Sequence, residues 1–361
     1  MLQTKFNKKM EELLKLHQVN DDAFVVAVSG GADSLALAFL LNNWAKKNKK
    51  IIALTVDHKL RVESADEATM VGKMMKKAGV EHHVLTWEGK KPKSGMEEAA
   101  REARYKLIAK WCKENGIKTV MIAHHKLDQA ETFLMRLQRG SGVDGLSGIS
   151  EFSSLLGMNI LRPLLDVCPD ELKAFLTQNK IKWAEDPHNV CDDYLRVRVR
   201  KILPLLEDKI GLTADRIVDT QKVLARTKDY LSEQTAKFVK NHVKLWGGCG
   251  VSFSAANFNS QHIEMRYRVF AKLVKEIGDN GYVSRASSID KLLEIIAGKA
   301  FKGATLGGCE IILFKGKIFI IKELKSAAKL SKKEWENFVA KNKKYDNVDV
   351  PYKLKMVLCL G

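Results

Sequence analysis

The sequence contains no CxxC pair. Its six cysteines (Cys112, Cys168, Cys191, Cys249, Cys309 and Cys359) are scattered. That argues against a zinc knuckle, an iron–sulfur site or a disulfide framework, and it fits a reducing cytoplasm. No apolar run approaches ~20 residues, so no membrane span is expected. The first residues, Met1-Leu2-Gln3-Thr4-Lys5-Phe6, lack the apolar core of a signal peptide. GxxxxGKS/T and GxGxxG are both missing, so the chain's glycine turn does not match a γ-phosphate-transferring NTPase or a dinucleotide fold. HExxH is missing too, and a histidine-bound metal is not expected. Acidic residues are in deficit, 43 against 61 basic, for a formal net charge of +18. Such a surplus favours a polyanionic partner. The competing reading is lysine spread over every surface, with which the many Lys-Lys pairs agree.

What is present is enough apolar residue for a core, 45% of 361 residues, and room for two or three domains. The most informative stretch is Ser29-Gly30-Gly31-Ala32-Asp33-Ser34. A short β-branched run, Phe24-Val25-Val26-Ala27-Val28, precedes it and reads as a buried strand. Leu35 to Leu41 follows it and reads as the start of a packed helix. At such a junction the helix has free N–H groups and the positive end of its dipole, which suit a phosphate. Ser29 and Ser34 add hydroxyls. Asp33 fits beside an anion if it shares a Mg²⁺ with the phosphates. The plainer alternative is a capped helix after a glycine turn.

Strands alternate with helices from there to about residue 140. Ile51–Val56, Glu81–Trp87 and Thr119–Ala123 read as strands. Helices are expected over 1–20, 34–48, 64–78, 96–115 and 127–138. The alternation predicts an α/β domain with a doubly wound parallel sheet. Ligands on such sheets sit at the carboxyl ends of the strands. The glycine turn, Asp57-His58 and His124-His125 all fall at such ends. Arg139–Gly148 reads as a loop, and Tyr194–Glu207 as helix on either side of a break at Pro204. The alternation stops near 213. Long helices over 214–245, 258–277 and 287–296 are expected next. A small antiparallel sheet follows over 302–306, 310–314 and 317–322, giving a mainly helical second domain with a small α+β portion over 214–325. Residues 326–361 are lysine-rich, with Trp335 and Phe338 as apolar anchors.

Asp128 and Glu131 share one face of the helix after strand four and, with Asp33, are candidate metal ligands. They also suit the helix N-terminus as plain capping charges. Several motifs then occur in order. They are Ser29–Ser34; Val56-Asp57-His58-Lys59-Leu60-Arg61; Glu97 with Ala100-Arg101-Glu102-Ala103-Arg104-Tyr105; Ala123–Thr132 running into Arg136–Leu146; and Glu185-Asp186-Pro187 with Arg196-Val197-Arg198-Val199-Arg200. Over roughly residues 22–210 the chain resembles the tRNA(Ile)-lysidine synthases, a branch of the N-type ATP pyrophosphatases with an adenine nucleotide alpha hydrolase-like fold. Leu127 departs from that family, which usually has two acidic residues where Leu127-Asp128 stand.

The resemblance implies a ligase with ATP and Mg²⁺ as cofactors. The wobble cytidine of the tRNA(Ile) CAU anticodon is adenylated at its C2 oxygen with release of pyrophosphate. The amine of free L-lysine then displaces AMP. ATP would be bound by Ser29, Gly30, Gly31, Ala32, Asp33, Ser34, Asp57, His58 and His124. Asp33, His125, Asp128 and Glu131 would be catalytic, with His125 the candidate base for lysine and Asp33 and Asp128 the Mg²⁺ ligands. Arg101, Arg104, Tyr105, Arg139, Arg196, Arg198 and Arg200 would contact tRNA or phosphate. The accessory region would hold the body of the tRNA, and a homodimer is an open expectation. Two rivals remain: a tRNA 2-thiocytidine synthetase-like enzyme, for which the cysteine pairs are lacking, and an RNA-binding protein with a degenerate nucleotide site.

Arg196, Arg198 and Arg200 would share one face of a strand, whereas a helix turns successive ones by about 200°. The apolar spacing that follows favours a helix, with one or two of the three facing the crevice. The +18 charge makes a direct prediction. A few-fold rise in salt should weaken tRNA binding steeply in a filter-binding titration, because phosphate contacts release counterions. A flat response would make the basic surplus mere surface decoration.

Overall fold

Buried β-branched residues and glycine stops build the first half of the chain. The computed structural model describes residues 1–46, 48–60, 64–89, 91–92, 94–184, 195–278, 286–298, 301, 303–323, 350–351 and 354. Phe24, Val25 and Val26 are fully buried in β1 (Ala23–Ala27). The next element, α2 (Ala32–Ala45), is apolar nearly all round, and Leu35, Leu37, Leu40 and Leu41 have no exposed surface. Such a helix must be covered on more than one side. α1 (Leu2–Leu16) supplies Phe6, Met10 and Leu13 to the same core, and α7 (Pro169–Gln178) supplies Leu172 and Leu176.

β2 (Lys50–Asp57), β3 (Glu81–Thr86), β4 (Thr119–Met121) and β6 (Met158–Leu161) complete a parallel array with β1. β5 (Phe152–Leu155) closes one edge, antiparallel to β6. The order is β3-β2-β1-β4-β6-β5. α3 (Ser64–Lys77) and α4 (Met96–Glu114) join consecutive strands. From β1 the chain steps outward to β2 and β3, then returns to the other side of β1 as β4. That reversal opens a crevice at the carboxyl ends of β1 and β4, where open α/β sheets bind ligands.

The chain forms two compact units, Met1–Arg226 and Thr227–Gly361. The second has an antiparallel sheet, β7-β8-β11-β10-β9, in which β7 (Lys244–Trp246) and β8 (Gly250–Ser254) precede β9 (Ala304–Leu306), β10 (Cys309–Phe314) and β11 (Lys317–Lys322). α11 (Ile263–Ile277) and α12 (Ala286–Ala297) cover its core of Phe253, Phe258, Phe270, Leu273, Ile311 and Ile320. No helix among the described residues is long and apolar enough to cross a membrane.

Several expectations need correction. Pro204 does not break α8, which runs over Leu195–Ile210, because Val197, Val199 and Leu203 bury one side of it and hold it through the missing hydrogen bond. Val143–Leu146 forms a one-turn helix, α6, where a loop was expected. The stretch at 258–277 is two helices: α10 (Ala255–Asn259) and α11 each have their own side-chain cap, from Ser254 and His262. α9 (Ala214–His242) stops before Lys244, which starts β7. The β5–β6 hairpin was not foreseen. Arg61, Glu185-Asp186-Pro187 and, apart from Val350, Pro351 and Leu354, the 326–361 segment lie outside the described residues.

Leu37→Ala should cost about 2–5 kcal/mol, since nothing beside a fully buried leucine can collapse freely into the void. Leu137→Ala, at a side chain half exposed on α5 (Lys126–Gln138), should stay within about 0.5 kcal/mol. Urea midpoints of the two variants check this.

Candidate active site

The β1–α2 turn leaves its helix start open. Gly31 is the N-cap of α2, in extended conformation, and no side chain caps it. Gly30 has φ +91°, which an L side chain rarely adopts, and a β-carbon there would meet Val71 at 3.2 Å. Ser34 ties the turn together. Its hydroxyl donates to the Gly31 carbonyl at 3.0 Å and accepts from the Ser29 N–H at 3.1 Å. With that proton committed, the Ser29 hydroxyl donates in the 3.2 Å contact between the two. Ser34 is therefore a builder of the turn, and the first-turn N–H groups, which no side chain caps, are of the kind that suits an anion.

The end of β4 faces this turn. His125 is the N-cap of α5; its N–H donates to Asp128 Oδ2 at 2.9 Å, while its Nδ1 accepts from the Asp128 N–H at 3.4 Å. Its Nε2 lies 3.5 Å from Asp33 Oδ2. The imidazole thus lies within 3.6 Å of both carboxylates, Nε2 toward Asp33 and Nδ1 toward Asp128. Among the described residues no group of three or more His, Cys, Asp or Glu could hold a metal. Burial opposes a charge on His125, but Asp33, Asp128 and Glu131 together raise its pKa above 6.5.

Glu131 is fully buried on α5 and receives two arginines. Arg200 Nε donates to its Oε1 at 2.7 Å, and Arg196 Nε lies 3.0 Å from its Oε2. Arg198 points to solvent. The helical reading of the run, with two of three inward, therefore stands. Only Oε1 takes a hydrogen bond: Oε2 and the Arg196 Nε are buried without hydrogen-bond partners and meet as opposite charges alone.

At the end of β2, Asp57 Oδ1 accepts from the Lys59 N–H at 2.8 Å, shaping a turn in which Lys59 has φ +50°. His58 lies edge-on to Trp87, centroids 5.8 Å apart. Burial and the charges of Arg104 and Lys91 push its pKa down to about 4. Arg101, Arg104 and Arg139 are exposed, as a polyanion contact requires. Tyr105 requires a correction: it is 7% exposed, packs in the core with Ile108 and Cys112, and lies under the Arg101 guanidinium at 5.1 Å. It has no free face for a base.

Sequence reasoning missed two devices. Arg162, 7% exposed, donates through Nε to His124 Nδ1 at 3.1 Å and through a terminal nitrogen to the Ser150 carbonyl at 2.8 Å and to Ser153 Oγ at 3.0 Å. A lone arginine inside the apolar run Ile160-Leu161-Arg162-Pro163-Leu164 was the available signal. The second is the brace on the 139–149 segment. Gln129 exchanges hydrogen bonds with the backbone of Ile149 at 2.9 and 2.7 Å, and Arg136 donates to the Gly145 and Gly148 carbonyls.

The PP-loop domain family matches residues 2–206. A tRNA(Ile)-lysidine synthase of Wolbachia pipientis wMel is 39% identical over 321 residues, covering 86% of this chain and 74% of its own. The chain belongs to the tRNA(Ile)-lysidine synthases. Another member, from Ruegeria pomeroyi, is 34% identical over 307 residues, 85% of this chain and 72% of that one. Of solved structures, the U34-tRNA thiolase NcsA from Methanococcus maripaludis superposes with a TM-score of 0.52 at 20% identity, over 62% of this chain and 79% of that one. At that identity the fold is what the two share. Family membership brings ATP use with the PP-loop domain.

The histidines carry opposite pH signatures. His58 and His124 should titrate near 4, and His125 above 6.5, in side-chain NMR. Between pH 4 and 6.5 the unfolded chain takes up protons at the first two sites that the folded chain refuses, so they make stability rise with pH. His125 works the other way. Its contribution is complete below 6.5 and fades as pH rises through its folded pKa.

Proposed function

We propose that this lysidine synthase seats the ATP phosphates on the open N-terminus of α2 and activates the wobble cytidine of tRNA(Ile) by adenylation at its C2 oxygen. The uncapped first turn after Gly31 is the observation that carries this reading. A carbonyl oxygen is a poor leaving group and AMP a good one, so adenylation must precede attack by the lysine amine. The protein has mainly to orient the reactants and balance phosphate charge.

Asp33 fits a Mg²⁺ held jointly with the phosphates. It is a hard oxygen donor with a 38% exposed side chain beside the open helix end, and magnesium is usually held by one or two carboxylates plus phosphate oxygens. Bound there, the ion would neutralise phosphate charge. Asp128, behind His125, is assigned to the lysine substrate through Oδ1. His125, whose two nitrogens face Asp33 and Asp128, is better suited to orienting those carboxylates than to taking a proton from lysine. Arg196 and Arg200, aimed by Glu131, face the transferred phosphate. Arg101, Arg104 and Arg139 offer charge to the tRNA backbone. The region after 213 is the proposed holder of the tRNA body.

Incubation with ATP, labelled lysine and total tRNA tests the assignment. Pyrophosphate should appear only with tRNA, and AMP release should depend on lysine. Asp33→Ala should abolish pyrophosphate release with a near-unchanged urea midpoint; unchanged release removes the site. Replacing the arginines singly by lysine keeps charge and loses the planar fork. Turnover should fall about tenfold or more at Arg196 and Arg200 and hold at Arg198. Equal small effects at all three would place the phosphate ligands elsewhere.

A further inference from the structure

We propose that Arg162 is a positioning residue that fixes His124 in the tautomer carrying its proton on Nε2, so that the imidazole offers an anionic oxygen in the crevice a permanent hydrogen-bond donor. The inference rests on the reading that the end of β4 lines the nucleotide site.

The geometry leaves one assignment. A guanidinium has only donors, and Arg162 Nε lies 3.1 Å from His124 Nδ1. Nδ1 must present its lone pair, so the single proton of the neutral ring sits on Nε2. The guanidinium cannot swing away cheaply. It is 7% exposed, and one terminal nitrogen is bound to both the Ser150 carbonyl and Ser153 Oγ on the strand side of the sheet edge. The Arg162 N–H is itself fixed to the Glu151 carbonyl at 2.9 Å. Arg162 follows β6, which pairs with β4 in register Met121↔Leu161, and so it stands level with the end of β4 that carries His124.

Protonation state agrees with the geometry. Burial lowers the His124 pKa to about 4 against the attraction of Asp128, and the positive charges of Arg162, Arg101 and Arg196 act in the same direction as burial. At neutral pH the ring is an uncharged donor. It differs from His125 one residue away, whose two nitrogens face carboxylates. Two adjacent histidines on one strand end are thereby given distinct tasks by what each Nδ1 meets: an arginine for His124, and the cap of α5 for His125. A donor that is uncharged at neutral pH suits a site where negative charge shifts between phosphate oxygens, because it adds no net charge to be desolvated.

Nitrogen NMR on the full chain labelled with ¹⁵N-histidine reads the tautomer directly, in the wild-type protein at pH 7. His124 Nδ1 should show the shift of a bare ring nitrogen and Nε2 that of a protonated one. A protonated Nδ1 overturns the inference. The second arm is a double-mutant cycle on lysine-dependent AMP release. Arg162→Met should lower kcat about tenfold or more at little change in the KM for lysine. A glutamine side chain places an amide donor where Nε2 stood and has no tautomer to set. In the His124→Gln background, Arg162→Met should therefore cost little further. Equal losses in both backgrounds would make Arg162 a purely structural residue and overturn the proposal. Ser153→Ala removes a contact of Arg162 without touching His124, and should leave the tautomer signal in place. A bare Nδ1 together with full turnover of His124→Asn would instead overturn the placement of His124 in the crevice, on which the inference rests.

Discussion

A helix N-terminus with nothing capping it is the constraint around which the first unit is arranged. The N–H groups of the first turn of α2 have no intrahelical partners. Ordinarily a serine or aspartate at the N-cap would satisfy one or two of them. Here the N-cap is Gly31, and the nearby serines spend their hydroxyls on the turn itself. The cost is tolerable because the rest of α2 is buried on several sides, and packing rather than capping holds it in place. An anion is the natural complement of such an end.

The nearby carboxylates are graded by distance from water. Asp33 keeps a partly exposed side chain, Asp128 is nearly covered, and Glu131 is fully covered. The deepest carboxylate has the most opposing charge beside it: Asp33 has one imidazole edge, Asp128 the N–H of His125, and Glu131 two guanidiniums, one of them hydrogen-bonded to Oε1. This is the order that desolvation demands, since an unpaired buried charge is far costlier than an exposed one. It also separates roles. The outermost carboxylate is free to meet a cation or substrate, and the innermost is a strut.

Arginine does most of the long-range tying. Arg196 and Arg200 join α8 to α5, Arg136 pins the glycine-rich segment, and Arg162 joins the β5 side of the sheet to the end of β4. A planar fork with several donors can hold two or three acceptors at once, which a lysine cannot do. Loop segments with few apolar contacts of their own are thus held by directed hydrogen bonds, the means available at a site that must stay open to substrate.

Much of this was written in the sequence. The β-branched run before Ser29 and the leucines after it fixed strand, turn and helix locally, because both patterns depend only on neighbours in the chain. The alternation of such units dictated a doubly wound sheet, and a sheet of that kind has its crevice at the strand ends. The i, i+2, i+4 spacing of Arg196, Arg198 and Arg200 limited a helix to two inward arginines. Other features depended on residues distant in sequence. Nothing local says that Tyr105 lies in the core and beneath Arg101, that Pro204 is carried through α8 by burial on one side, or that His125 comes to stand between Asp33 and Asp128. Nothing local says that Arg162 meets His124. The sequence determined which residues could bear the chemistry, through spacing and local pattern. Only the tertiary structure decided which of their atoms remain free, because a side chain's partners and its share of water are set by chain segments that folding alone brings together.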